Sequence, residues 1–176
     1  MWGIFNNVVN DYKNPDKTFD MWMNRADFFE PRSRAGRQSW LASCFYEKGD
    51  LAKARTMLQE YLRLAIQYNI QRAIIGTQIY IIRIDLDQGN LIGAADALDR
   101  ISSAAREYQD RHYTARIQRT YGRLYALRED FIAAQMAFHI AIDLFERLGA
   151  GYELAEAREE LARLEAGAAP TPAPPI

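Results

Sequence analysis

Apolar side chains recur three and four positions apart along most of the chain, a spacing that places them on one face of an α-helix. Polar dipeptides such as Gly49-Asp50 and Gly89-Asn90 interrupt the pattern and mark the ends of helices. Residues 79–86 (IYIIRIDL) favour a strand by composition, but their place in the pattern predicts a helix that is apolar on most sides. The predicted helices cover residues 34–48, 51–68, 71–88, 91–109, 111–128, 131–148 and 152–166.

The pattern repeats with a period of 40 residues. The turns at Gly49, Gly89 and Glu129 have this spacing, and small and large apolar residues keep the same offsets from each turn. The matching positions are Ala54, Ala94 and Ala134; Leu58, Leu98 and Phe138; and Ala42, Ile82 and Gly122. A fixed period with matching small and large positions is typical of a helical solenoid.

The third unit, residues 121–141, resembles the tetratricopeptide repeat (TPR) family. The residues that match its motif of small, aromatic, alanine, aromatic and small positions are Gly122, Tyr125, Ala134, Phe138 and Ala141. The long unit is similar to repeats of bacterial signalling regulators, and residues 144–164 are similar to the helical-repeat arms of large regulatory ATPases. The resemblance covers residues 34–166 and implies an all-α fold. That fold is an α-solenoid of three antiparallel helical hairpins with a C-terminal capping helix and a helical N-terminal extension.

Two segments lie outside the repeat. Residues 1–33 are rich in aromatic side chains, and we expect them to form a lid over the end of the helical stack, a role that terminal repeats need filled. Peripheral membrane association through residues 1–12 is the less favoured interpretation, because Lys13 is nearly the only cation beside their apolar stripe. Residues 167–176 are rich in proline and alanine and are predicted to be a disordered tail.

Composition narrows the functional classes. Apolar residues make up 49% of the 176 residues, charged residues 26%, and the net charge is −1, which argues against a generic polyanion binder. A single cysteine excludes an internal disulfide, and no stretch has the length of a membrane span, so we expect a soluble cytoplasmic protein. His112 and His139 have no partner at metal-ligand spacing, and no catalytic motif occurs. We therefore expect no enzyme, no metal and no cofactor.

The TPR resemblance implies that the first helix of each hairpin lines a concave groove that binds a partner. The groove positions are aromatic at one end and basic at the other. The candidate partner-binding residues are Trp40, Tyr46, Tyr80, Arg83, Arg116, Arg119 and Arg123. Residues 111–128 hold five arginines and no acid, and guanidinium groups suit carboxylates. These features predict another protein or an acidic peptide segment as the partner.

The last helix offers an alternative for the basic face. In the 40-residue register the arginines of residues 111–128 face acids, so that the chain neutralises its own groove. The predicted pairs are Arg116 with Glu156, Arg119 with Glu159, and Thr120 with Glu160. The pattern slightly favours this internal pairing over a free basic groove. For the aromatic end, the alternative is contact with the lid of residues 1–33.

One acid stands at a predicted core position. Asp85 lies among isoleucine and leucine residues, where a lone carboxylate is costly, so we expect Tyr46 or an arginine as its partner.

Three functions are consistent with the pattern. The first is a non-enzymatic interaction module, either an adaptor or an accessory subunit. The second is a regulatory sensor that binds a peptide or effector. The third, ranked below both, is nucleic-acid binding by the helix of residues 111–128.

Overall fold

The computed structural model describes residues 42–43, 45–46 and 48–167, whose regular structure is entirely helical. The expected all-α class is confirmed for this part of the chain, including residues 79–86, which form helix and not strand. The predicted N-terminal extension, Trp40 and the tail beyond Gly167 lie outside the described residues. The helices are α1 (Leu51–Gln67), α2 (Gln71–Asp87), α3 (Leu91–Glu107), α4 (Arg111–Leu127), α5 (Phe131–Leu148) and α6 (Gly151–Glu165). Ala42, Ser43, Phe45 and Tyr46 are also helical.

Left-handed residues close these helices at regular intervals of the chain. They are Gly49, Asn69, Gly89, Gln109, Glu129 and Gly149, each with a φ between 51° and 79°. After five of these residues, the next amide donates to a carbonyl five residues back: Asp50 to Phe45, Ile70 to Ala65, Asn90 to Asp85, Asp130 to Tyr125 and Ala150 to Phe145. This arrangement is a Schellman motif, which satisfies the last carbonyls of a helix in very few residues.

The residues after these turns also start the next helix. The side chains of Asp50, Asn90 and Asp130 accept hydrogen bonds from first-turn amides of α1, α3 and α5. One residue therefore ends a helix with its backbone and begins another with its side chain. Helix α6 differs, because its N-cap is Ala150, which offers no side-chain acceptor.

The described residues form two compact units, with the boundary between Ala73 and Ile74. In the first unit, α1 buries the face that carries Leu58 and Tyr61, and Phe45 and Tyr46 are buried as well. The Lys53 ammonium lies 4.1 Å from the centroid of the Phe45 ring.

The second unit contains two apolar clusters that share α4. Helices α2, α3 and α4 contribute the first cluster, and helices α4, α5 and α6 contribute the second. The first includes Ile79, Ile82, Leu98, Ile101 and Leu124, and the second comprises Ala115, Ala141, Phe145 and Ala157. Because α4 belongs to both clusters, side chains of α4 lie next to α2 and α3 on one side and α5 and α6 on another.

The most extensive helix contact in the second unit joins α4 to α5. Gly122 of α4 allows it, since a Cβ there would lie 2.8 Å from the ring of Phe138 on α5. This agrees with the predicted role of a small residue opposite an aromatic.

Asp85, which the sequence placed in the core, is only half-buried and is therefore less enclosed than predicted. It does have an interaction partner.

Candidate partner-binding site

Helix α4 carries the arginines predicted to bind a partner. Its start is held by Asp110, whose carboxylate accepts from the amides of His112 and Tyr113 at 3.0 and 3.2 Å. The helix itself contains no acidic residue. A buried arginine on α4 therefore needs carboxylates from other helices, because an unpaired buried charge is very costly.

Arg119 lies between two glutamates of α6. Its Nε and Nη2 atoms donate to the two carboxylate oxygens of Glu160 at 2.7 and 2.9 Å. Its Nη1 donates to Glu156 at 2.5 Å. Arg119 is only 8% exposed. Parallel hydrogen bonds from one guanidinium to one carboxylate are among the strongest in proteins. The guanidinium of Arg119 is thus already occupied by the carboxylates of Glu156 and Glu160.

Arg123 extends the contact to α2. Its Nη2 donates to Asp87 at 2.5 Å, and its Nε lies 3.9 Å from Glu160. Arg123 is 7% exposed, and the Asp87 side chain is buried as well. These ion pairs link α2, α4 and α6 in addition to the apolar clusters that the helices share. We call Asp87, Arg119, Arg123, Glu156 and Glu160 the arginine–carboxylate network.

Protonation of the network follows from its pairing. Burial by itself would raise the pKa of Glu160, but the hydrogen bond and charge of Arg119 outweigh burial and hold that pKa below its ordinary value. Burial would likewise lower the pKa of Arg119, but Glu160 and Glu156 raise it above the ordinary value for arginine. Arg119 and Glu160 therefore form an ionised pair at neutral pH.

The structure resolves whether the basic face is free or neutralised. Arg119 and Arg123 are neutralised internally, as the sequence slightly favoured, but the predicted pairs were wrong in detail. Glu159 bonds to Arg163 on its own helix, while Arg119 reaches both Glu156 and Glu160. The physical reason is that a long side chain enters the groove between two residues one turn apart, and does not stop opposite the equivalent residue.

The remaining basic candidates surround Tyr80. The Arg116 guanidinium lies 5.0 Å from the centroid of the Tyr80 ring and 5.9 Å from that of Tyr113, and the Arg83 guanidinium lies 5.6 Å from Tyr80. All four side chains are half-buried. The structure thus places Tyr80, Arg83 and Arg116 in one cation–π cluster.

The two aromatic candidates nearest the N terminus have separate outcomes. Tyr46 is fully buried in the first unit, so it contributes to a core. Trp40 lies outside the described residues.

Two acidic partners were missed by sequence reasoning. Asp87 was assigned to the end of a helix, and Glu153 was not paired with His112, whose Nε2 lies 3.0 Å from it. His112 and Glu153 are 41 positions apart, the same separation as Arg119 and Glu160. A separation of 41 residues between facing positions of α4 and α6, in place of 40, would have predicted the pairs His112–Glu153 and Arg119–Glu160.

A second feature that was missed is an apolar face on α5. Phe131, Ile132, Met136 and Ile140 are 53%, 76%, 62% and 46% exposed. The last three are spaced four residues apart and form one stripe along the helix, while Phe138 is buried. We call these four exposed residues the apolar face of α5. Its signal in the sequence is a helix that is apolar on two sides.

Equivalent positions in the earlier repeats are more polar. Ile92 on α3 is as exposed as Ile132, at 77%, but its stripe continues with polar side chains. The exposed residues at the equivalent positions are Ile92, Asp96 and Arg100 on α3, and Ala52, Thr56 and Glu60 on α1. The apolar face is thus a property of α5 and not of the repeat.

Other kinds of site receive no support within the described part of the chain. No helix there is long and apolar enough to cross a membrane, and no group of three acidic, histidine or cysteine side chains is placed to hold a metal ion. Comparison of the chain with protein-family models, with curated proteins and with solved structures finds no match. Function is therefore inferred from the network and the apolar face alone.

Proposed function

We propose that this chain is a non-enzymatic protein–protein interaction module, acting as an adaptor or accessory subunit. We further propose that it is built as a TPR-like α-solenoid of three antiparallel hairpins with α6 as the capping helix. Helices that begin every 20 residues and recurrent left-handed turns support this architecture. Short links between helices favour antiparallel neighbours.

The observation that carries the function is the apolar face of α5. Exposed apolar side chains gathered on one stripe are a typical mark of a protein-binding surface, whereas scattered ones are not. The stripe from Ile132 to Ile140 spans about 12 Å at 1.5 Å per residue. Its helical spacing fits an amphipathic helix of a partner protein laid along α5.

A pair of matched variants tests this proposal. Ile132→Glu places a charge in the apolar face, and Ile92→Glu places the same charge at the equivalent, equally exposed position of α3. Each variant and the wild type would be used to capture proteins from the native cell. We expect at least one protein that the wild type and Ile92→Glu retain and that Ile132→Glu loses.

The proposal fails if Ile132→Glu and Ile92→Glu retain the same proteins in equal amounts. It also fails if the bound protein is lost equally with both variants.

A regulatory sensor is the second candidate, and the way α6 is held favours it. The helix is attached in part through Glu156 and Glu160, and such a charged attachment can respond to a competing ligand. Nucleic-acid binding by residues 111–128 is not proposed, because Arg119 and Arg123 donate to carboxylates of this chain.

A further inference from the structure

Helix α6 has the fewest buried residues among the described helices of the second unit. Only Ala157 and Leu161 are buried on it, whereas α5 buries five residues, two of them phenylalanines. The N-cap of α6 is Ala150, which makes no side-chain hydrogen bond to the helix. Helix α6 therefore lacks the N-cap stabilisation that Asp130 gives to α5. Besides its packing against α5, α6 is therefore held by the arginine–carboxylate network.

Helix α6 binds α4 through a compact set of acidic and apolar side chains, as a helical peptide ligand binds its receptor. Glu156 and Glu160 present two carboxylates one turn apart to Arg119, and Glu160 also approaches Arg123. Ala157 and Leu161 follow each glutamate by one residue and are buried beside them. The recognised pattern is an acidic amphipathic helix with glutamates at i and i+4 and apolar residues at i+1 and i+5.

We propose that α6 is an internal ligand, and that its site on α4 receives an acidic amphipathic helix of a partner protein when α6 is displaced. This inference rests on the proposed interaction function and names the chemistry of a second partner surface. A competing helix with the same pattern keeps Arg119 paired with carboxylates. A helix without them leaves a buried guanidinium unpaired, and this gives the site its specificity.

The linkage of α6 to the chain sets the conditions for exchange. A tethered helix has a high effective concentration at its own site, so a free peptide competes poorly against intact α6. The apparent affinity for a competitor is reduced by the fraction of molecules in which α6 is released. Weakening α6 should therefore strengthen binding of the same helix added in trans.

The test uses full-length protein and a labelled peptide of residues 151–165. One variant carries Glu156→Gln and Glu160→Gln, which remove the carboxylates that bind Arg119. The matched control carries Glu159→Gln and Glu165→Gln, which remove two charges from exposed positions of the same helix. We expect the first variant to bind the peptide at least tenfold more tightly than the wild type and the control. A peptide with glutamine at 156 and 160 should not bind.

Equal affinity of both variants for the peptide would overturn the proposal, as would equal binding of the glutamine peptide. Hydrogen exchange on the wild-type protein gives a second measurement that does not depend on a variant folding. Excess peptide should increase exchange in α6 and leave α3 unchanged, and an unchanged α6 would overturn the proposal.

Two further results separate the possible causes of failure. A wild-type dimer that exchanges its α6 helices, detected by light scattering without peptide, would overturn the partner assignment and make a second copy the occupant. Absence of peptide binding would overturn this inference but would not change the result of the capture experiment with Ile132→Glu. The inference and the proposed function can therefore fail independently.

Discussion

The arginine–carboxylate network and the apolar face of α5 reverse the usual relation between polarity and burial. Arg119 and Arg123 are almost fully buried, whereas Ile132 and Met136, on the neighbouring helix, are largely exposed. Buried charges persist here because each guanidinium meets carboxylates from other helices. The apolar face has no such internal partner helix among its described contacts. Residue type alone is therefore a poor guide to which surface of this unit is free.

This difference also separates stability from binding. The network contributes to the attachment of α6 and α2, so its residues should be sensitive to substitution. The apolar face contributes little to folding, so its residues should matter mainly to a partner. Four substitutions test this division.

The largest expected effect is at Arg119. Arg119→Met removes the cation that donates to Glu156 and Glu160, and breaking a buried pair from one side costs about 3 to 5 kcal/mol. Arg116→Met is the matched control, because Arg116 loses only cation–π contacts worth about 1 kcal/mol. Urea denaturation would measure both. Equal losses for the two variants would contradict the special position of Arg119.

Glu160→Gln should cost about 2 to 3 kcal/mol at pH 7, because it weakens charge-assisted bonds to Arg119. The pKa of Glu160 is depressed, so its contribution is present above the ordinary value of 4.5 and is lost as the pH falls through the lower folded-state value. Stability curves of wild type and variant should therefore converge in acid. A difference that stays constant down to pH 3 would contradict the assignment.

Gly122→Ala should cost about 1 to 2 kcal/mol, because the new methyl group meets the Phe138 ring and forces α4 and α5 apart. Gly151→Ala is the control, since a Cβ there meets nothing within 4 Å. Thermal unfolding of both variants checks the contact between the helix that carries the network and the helix that carries the apolar face.

The smallest effect on stability is expected for Ile132→Glu, within about 0.5 kcal/mol, as for most exposed substitutions. Thermal unfolding of Ile132→Glu and Arg119→Met under the same conditions compares the two losses of stability directly. A large loss for Ile132→Glu would show that the apolar face is part of the fold and would remove it as a free surface.

Helix positions were predictable in detail, since caps and turns are local. Asp50, Asn90 and Asp130 mark helix starts by their side chains, and α1 to α5 begin where the pattern predicted. Left-handed geometry at Glu129 was also predictable, because it occupies the position that glycine holds at 49 and 89. The TPR-like solenoid and the partner remain proposals.

The candidate site was less predictable, because it depends on contacts between helices distant in the chain. Periodicity identified Arg119 and Arg123 on one face of α4, and it placed acids on the helix two further on. It could not identify Asp87 as a partner of Arg123 or choose between Glu159 and Glu160. Those choices depend on shifts of about one residue in how the helices face each other.

The sequence by itself determined the helices, their 20-residue spacing and the turns between them, since these depend on hydrogen bonds within a few residues. Only the tertiary structure decided which polar residues are buried and which apolar residues are exposed. Burial depends on the neighbours that a face acquires when helices pack. For Arg119 those neighbours are Glu156 and Glu160, more than 35 residues away along the chain.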